Sequence, residues 1–161
     1  MNRLLSRQII ILQRLPNVGP ATIIKIINSD SKEIYFEKPE SIIDLVKQVA
    51  PKTGENLNRN VILDAISEAD EILNACESLN IEVIGYCDES YPSKYKDIGN
   101  SAPVIIYCKG DISLLNSRRK VAIIGTRKIS DQGIKAGKYV TKALVDEDFV
   151  VVSGSSSALR W

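Results

Sequence analysis

The residues best equipped for chemistry lie in VAIIGTRKIS, Val121 to Ser130. An apolar run enters Gly125, and Thr126, Arg127, Lys128 and Ser130 follow at once. Gly125 removes the side chain where a ligand would approach the backbone. Thr126 and Ser130 carry hydroxyl donors, Arg127 a planar fork that suits phosphate oxygens, and Lys128 a point charge. If the apolar run is a strand, this loop sits at its carboxyl end, and the next helix directs free N–H groups at it. Gly154, after the neighbouring run FVVVSG, would line the same crevice. The chemistry that fits is phosphate binding. GTRKIS does not read as GxGxxG, so no nicotinamide or flavin site is expected. The plainer alternative is a tight turn at Gly125 flanked by two solvated cations.

Charge supports an anionic ligand. The chain has 161 residues and a net charge of +1. Between Lys109 and Lys142, however, nine basic residues face only Asp111 and Asp131, a local +7, whereas the rest carries 12 basic against 18 acidic. Such a field attracts phosphates, although Lys135, Lys138 and Lys142 read equally well as a solvated helix face. The chain contains no histidine, which excludes Ser-His-Asp and Cys-His catalysis and histidine metal ligands. The expectation is a binding module, not an enzyme, with no cofactor and no metal. Three cysteines without a CxxC pair fit reduced thiols. No apolar run approaches the length of a membrane span, and MNRLLSRQ lacks a signal-peptide core. A cytoplasmic protein without a membrane partner is expected.

A second constellation is LPNVGPATIIKII, Leu15 to Ile27. It is similar to a helix-hairpin-helix, in which backbone N–H groups at the start of the second helix grip a nucleic-acid phosphate without reading sequence. Asn17, Gly19, Ala21 and Lys25 are the contact candidates, with Asn17 where such hairpins usually have their first glycine. Ala21, Ile23, Ile24 and Ile27 would pack inward. A merely structural turn in a helical bundle is the alternative. A third stretch, Tyr91 to Asp111, holds Tyr91 and Tyr95, which read as core side chains more readily than as stacking platforms for bases.

The elements that must position these residues fall into two groups. Residues 1–79 read as helical. Leu4, Leu5, Ile9, Leu12 and Leu15 recur at helical spacing, Pro16 ends that helix, and Gly19-Pro20 opens another through Asn28. Ser41 to Asp44 resembles a capping box before Leu45. A long helix follows Gly54, with the stripe Leu57, Val61, Ile62, Ala65, Ile66, Ala69, Leu73 and Cys76. After a boundary near residues 78–82 the period shortens. Strands are expected at Ile81–Tyr86, Val104–Cys108, from Val121 and at Phe149–Gly154, with a helix from about Asp131 bearing Ile134, Tyr139, Val140, Ala143 and Leu144 as apolar positions. Strand, helix, strand at this spacing is a parallel βαβ unit. The fold class is therefore α/β: a helical domain, 1–79, then an incomplete parallel sheet, 80–161.

Read together, Tyr91-Pro92, Ala102-Pro103, Lys109-Gly110, VAIIGTRKIS with Gly133, and VVSG resemble, in order, the DNA-processing protein A family (DprA, or Smf). The resemblance implies a helical (SAM-like) domain before an extended Rossmann-like domain that binds single-stranded DNA in natural transformation and recombination, and a RecA-type recombinase as partner. It carries Gly125, Thr126, Arg127, Ser130, Ser153 and Gly154 into the family's anion-binding pocket, with Thr126 in place of the usual serine. Lys128 joins them by charge. The family pattern departs at Ser155 to Trp161, so a C-terminally shortened form with impaired activity, lacking the RecA-facing surface and prone to self-association, is expected. The rivals are a nucleotide-handling enzyme on a related fold and an inactive fragment.

Overall fold

A computed structural model describes residues 4–29, 36, 38–117, 119–126 and 128–154. Arg118, Arg127 and residues 155–161 lie outside them. The chain divides into two compact units, residues 1–112 and 113–161. The expected boundary near residues 78–82 thus falls inside the first unit, because the third and fourth expected strands separate from the first two.

The first unit begins with α1 (Ser6–Arg14), α2 (Pro20–Asn28), α3 (Pro39–Val49), the single turn α4 (Pro51–Gly54) and α5 (Arg59–Ser78). Ile9, Ile10, Ile11 and Leu12 are all buried, so the middle turn of α1 is enclosed on every side; four successive apolar residues point all round a helix and need a core about them. It packs on α2 and α5 and on the strands β1 (Glu82–Gly85) and β2 (Ile105–Cys108). Leu5, expected on the apolar face, is instead exposed; it is the N-cap residue, and its N–H donates to the Gln8 side chain at 2.8 Å. The α5 stripe buries Ile62, Ala65, Ala69 and Cys76, and Asn58 caps the helix by accepting from the Val61 N–H at 3.1 Å. Arg7 grips Asp70 through two bonds of 2.6 and 2.9 Å and Arg14 meets Glu68 at 2.6 Å, tying α1 to α5. The Arg7 hydrogen bonds hold the Asp70 carboxyl below the usual carboxylate range.

Two expectations change here. Helix α3 starts at Pro39, not after Ser41, so Ser41 and Asp44 lie inside it and form no capping box; proline at the first helical position supplies the start signal. The four strands do not share one parallel sheet. Strands β1 and β2 pair antiparallel, Glu82 opposite Cys108 and Gly85 opposite Ile105, and only the second pair of strands is parallel.

Between β1 and β2, just ahead of the single turn α6 (Ser93–Lys96), Tyr91 enters the core at 4% exposure and its hydroxyl donates to the Pro103 carbonyl at 2.6 Å. Tyr86 lies 5.2 Å from its ring and Tyr95 6.3 Å, edge-on, while the Lys96 ammonium stands 4.9 Å over Tyr86. Burial pushes the Tyr91 hydroxyl up to about 12. The folded state therefore holds this proton more tightly than the unfolded chain, whose tyrosines titrate at about 10. Stability from this group is complete below pH ~10 and is lost as pH rises towards 12. We expect alkaline unfolding in that window to be weakened in Tyr91→Phe. That variant has no proton to lose, but it is less stable at neutral pH by about 1–2 kcal/mol because a buried carbonyl loses its donor. Urea titrations at neutral and alkaline pH check both halves.

In the second unit β3 (Lys120–Ala122) and β4 (Val150–Val152) pair in parallel, Lys120 with Val150 and Ala122 with Val152. Helix α7 (Asp131–Asp146) connects them. It turns Ile134, Gly137, Thr141 and Leu144 to its half-buried side, whereas Tyr139, Val140 and Ala143, expected among the apolar positions, are exposed. Asp148, at φ 60°, ends the helix in the left-handed region and turns the chain into β4.

Candidate nucleic-acid interface

Parallel pairing brings the two glycine-bearing loops of the second unit to one end. The ladder's last bond, from the Ile123 N–H to the Val152 carbonyl at 2.9 Å, leaves Gly125, Thr126 and Lys128 beyond β3, and Ser153 and Gly154 beyond β4. All five are exposed. A methyl group added to Gly154 would meet nothing within 4 Å, so its backbone is open to a neighbour. Arg127 belongs to this loop by sequence but lies outside the described residues.

The two hydroxyls serve the loop's own backbone. The Thr126 oxygen accepts from the Lys128 N–H at 3.0 Å, and its hydroxyl donates to the Lys128 carbonyl at 3.1 Å. This turn holds both peptide groups of Lys128 and leaves its side chain in solvent. Ser130 is the N-cap of α7 and accepts from the Gly133 N–H at 3.2 Å; such a cap contributes about 1 kcal/mol. Its hydroxyl hydrogen stays available to an outside acceptor. Gly133 is needed here because a Cβ would lie 2.9 Å from Ile129 Cγ1, so the missing side chain lets Ile129 close over the first turn. The first turn of α7, with its partial positive charge, follows this loop directly.

The other cations are distributed unevenly. Arg119 stacks 4.5 Å over Phe149, and the Lys120 ammonium donates to the Leu115 carbonyl. Lys135, Lys138 and Lys142 are exposed along α7.

The hairpin candidates lie in the first unit. Asn17 has φ 61°, the left-handed conformation for which glycine is the usual choice and asparagine the commonest substitute. The Val18 N–H closes the turn on the Leu15 carbonyl at 3.3 Å, and Gly19 caps α2 with Pro20 at its first position. Asn17, Gly19 and Lys25 are exposed while Val18, Ile23, Ile24, Ile26 and Ile27 are buried. Ala21, expected to pack inward, is exposed with them; it belongs to the solvent side of the first turn, one turn before Lys25.

Among the described residues no cluster of three histidine, cysteine, aspartate or glutamate side chains could hold a metal ion, and no helix is long and apolar enough to cross a membrane. Residues 82–157 match the family model of DNA recombination-mediator protein A. The DNA processing protein DprA of Bacillus subtilis (strain 168) is 30% identical over 101 residues, which cover 63% of this chain and 34% of that protein. DprA of Streptococcus pneumoniae (strain ATCC BAA-255 / R6) is 30% identical over 143 residues, 79% of this chain and 50% of that one. The chain is thus similar to the DNA-processing protein A family. It is also similar in fold to the X-ray structure of DprA from Streptococcus pneumoniae, with a TM-score of 0.62 at 20% identity, over 98% of this chain and 53% of that one. It spans half the length or less of the curated relatives it matches.

Proposed function

We propose that this chain acts in DNA processing during recombination and natural transformation, as a non-catalytic module that binds single-stranded DNA with little sequence preference. The observation that supports the reading is the parallel pairing of β3 and β4, which places exposed Gly125, Thr126 and Lys128 beyond one strand and Ser153 and Gly154 beyond the other at the same end, with α7 starting after Ser130. Backbone amides, the Ser130 hydroxyl and the cations Arg127 and Lys128 suit phosphate oxygens and offer no base-reading surface. This is the anion pocket of a Rossmann-like domain of which β3, α7 and β4 are the first βαβ unit. The α1–α2 turn is then a helix-hairpin-helix-like accessory contact through Asn17, Gly19, Ala21 and Lys25. A RecA-type recombinase in the cytoplasm is the partner that the similarity to this family favours.

Fluorescence anisotropy with a labelled oligothymidylate tests the reading. Log affinity is expected to fall linearly with log salt, by about 0.7 per phosphate neutralised on a single strand. Oligonucleotides of different composition should bind alike. An affinity that does not change with salt, or no binding at low salt, would sink it.

A further inference from the structure

We propose that the outward face of α7 is a second contact for the same strand, with Lys135, Lys138 and Lys142 on phosphates and Tyr139 stacked on a base. The inference rests on the reading of the chain as a single-strand binder and extends it beyond the loop.

Helical geometry makes the face. With Ile134, Gly137, Thr141 and Leu144 on the half-buried side, a period of 3.6 residues puts Tyr139 almost opposite them, with Lys135 and Lys142 one turn to either side of it. Tyr139 is 77% exposed, among the most exposed large hydrophobic side chains of the chain. An isolated exposed aromatic residue means little, but this one stands inside a cationic row. Residues 132 to 145 contain three lysines and no carboxylate, and among the described residues no salt bridge engages any of the three.

The arrangement works against the helix itself. Lys138 and Lys142 are four apart, a spacing at which like charges repel. Lys135 and Lys138 lie in the half nearer the positive end of the macrodipole, while Asp146, Glu147 and Asp148 crowd the negative end. A polyanion along the face would relieve the repulsion. A tyrosine between cations adds what sequence-tolerant single-strand binders use, an aromatic face for any base beside charges for the backbone. The row starts within two turns of the Ser130 cap, on the helix that the loop leads into.

The full chain, Tyr139→Ala, Tyr139→Phe and the triple variant Lys135→Ala/Lys138→Ala/Lys142→Ala are compared by anisotropy on oligothymidylate across a salt series. Circular dichroism checks that each is folded. Tyr139→Ala is expected to weaken binding by about five- to a hundredfold, and Tyr139→Phe to restore it. The triple variant should reduce the salt slope by about 2, at 0.7 per contact. Unchanged affinity in Tyr139→Ala with an unchanged slope in the triple variant overturns the second contact, while wild-type binding that Arg127→Ala still weakens leaves the loop reading standing. Wild-type chain that binds no oligonucleotide at low salt overturns both. Should it bind polyglutamate instead, with the same sensitivity to the variants, the face belongs to an acidic protein partner and the nucleic-acid assignment fails.

Discussion

Gly54→Ala is expected to destabilise the first unit more than any other single methyl addition at a glycine there. Gly54 is buried at the end of α4, where the chain folds back on α3. A Cβ at this position would lie 2.4 Å from Lys47 Cγ, 2.6 Å from the Lys47 nitrogen and 2.7 Å from its Cα. Two of those atoms are backbone inside a helix and cannot swing away, so α4 would have to lift off α3. The turn is also closed by its own bonds: the Gly54 N–H donates to the Ala50 carbonyl at 3.0 Å, and the Leu57 N–H to the Gly54 carbonyl at 3.2 Å. Moving Gly54 therefore disturbs the approach to α5, which starts just beyond Leu57. Overpacking a close-packed interior costs about 1–3 kcal/mol, and more where backbone must shift; a loss of about 3 kcal/mol is expected. Gly19→Ala is the control, since a Cβ there meets nothing within 4 Å. Urea titration of the two variants should give a large fall in midpoint for the first and a small change for the second. Equal midpoints would mean that α4 yields without cost.

Local chemistry in the sequence announces some of this architecture and is silent on the rest. Helix α2 is legible end to end because Pro20 fixes its start and the isoleucine period marks its buried side. The α5 stripe is legible because a twenty-residue helix repeats the pattern often enough to show a face. The parallel pairing of β3 and β4 follows from strand, helix, strand spacing, and the Ser130 cap sits where a downstream Gly133 permits it. The start of α3 is a contest between two valid signals, proline at Pro39 and a serine-to-acid pattern at Ser41, and the helix takes the first, with Lys38 as its N-cap. The β1–β2 pairing depends on contacts across the intervening tyrosine cluster, which no local period encodes. Tyr139 is misplaced by hydropathy because a tyrosine counts as apolar at a distance. Only the half-buried row of Ile134, Gly137, Thr141 and Leu144 shows that it faces away. In the loop the residue types point to phosphate, yet the sequence does not distinguish a hydroxyl that binds ligand from one, like Thr126, that first ties down the backbone at Lys128.

That division between positioning and gripping sets the second large expectation: Arg127→Ala should weaken single-strand binding more than tenfold, and Lys25→Ala less. In the second unit the Thr126 hydroxyl is already engaged with the loop's backbone as donor and acceptor, and Ser130 accepts from the Gly133 N–H and has only its hydroxyl hydrogen to offer, so the charged grip falls to Arg127 and Lys128. A hydrogen bond to a charged group contributes about 1.5–3 kcal/mol, and a guanidinium can make two to one phosphate. In the first unit the order is reversed. The Asn17 turn and the start of α2 present backbone amides, and Lys25 stands a turn further along with its side chain in solvent, where screening by salt limits a single charge. The comparison is made by anisotropy at one low salt concentration, with Arg127→Lys as a third variant: it keeps the charge and loses the planar fork, and should fall between wild type and Arg127→Ala. Equal losses for Arg127→Ala and Lys25→Ala would replace a pocket at the ends of β3 and β4 with a diffuse basic field. A loss confined to Lys25→Ala would move the principal DNA contact to the hairpin.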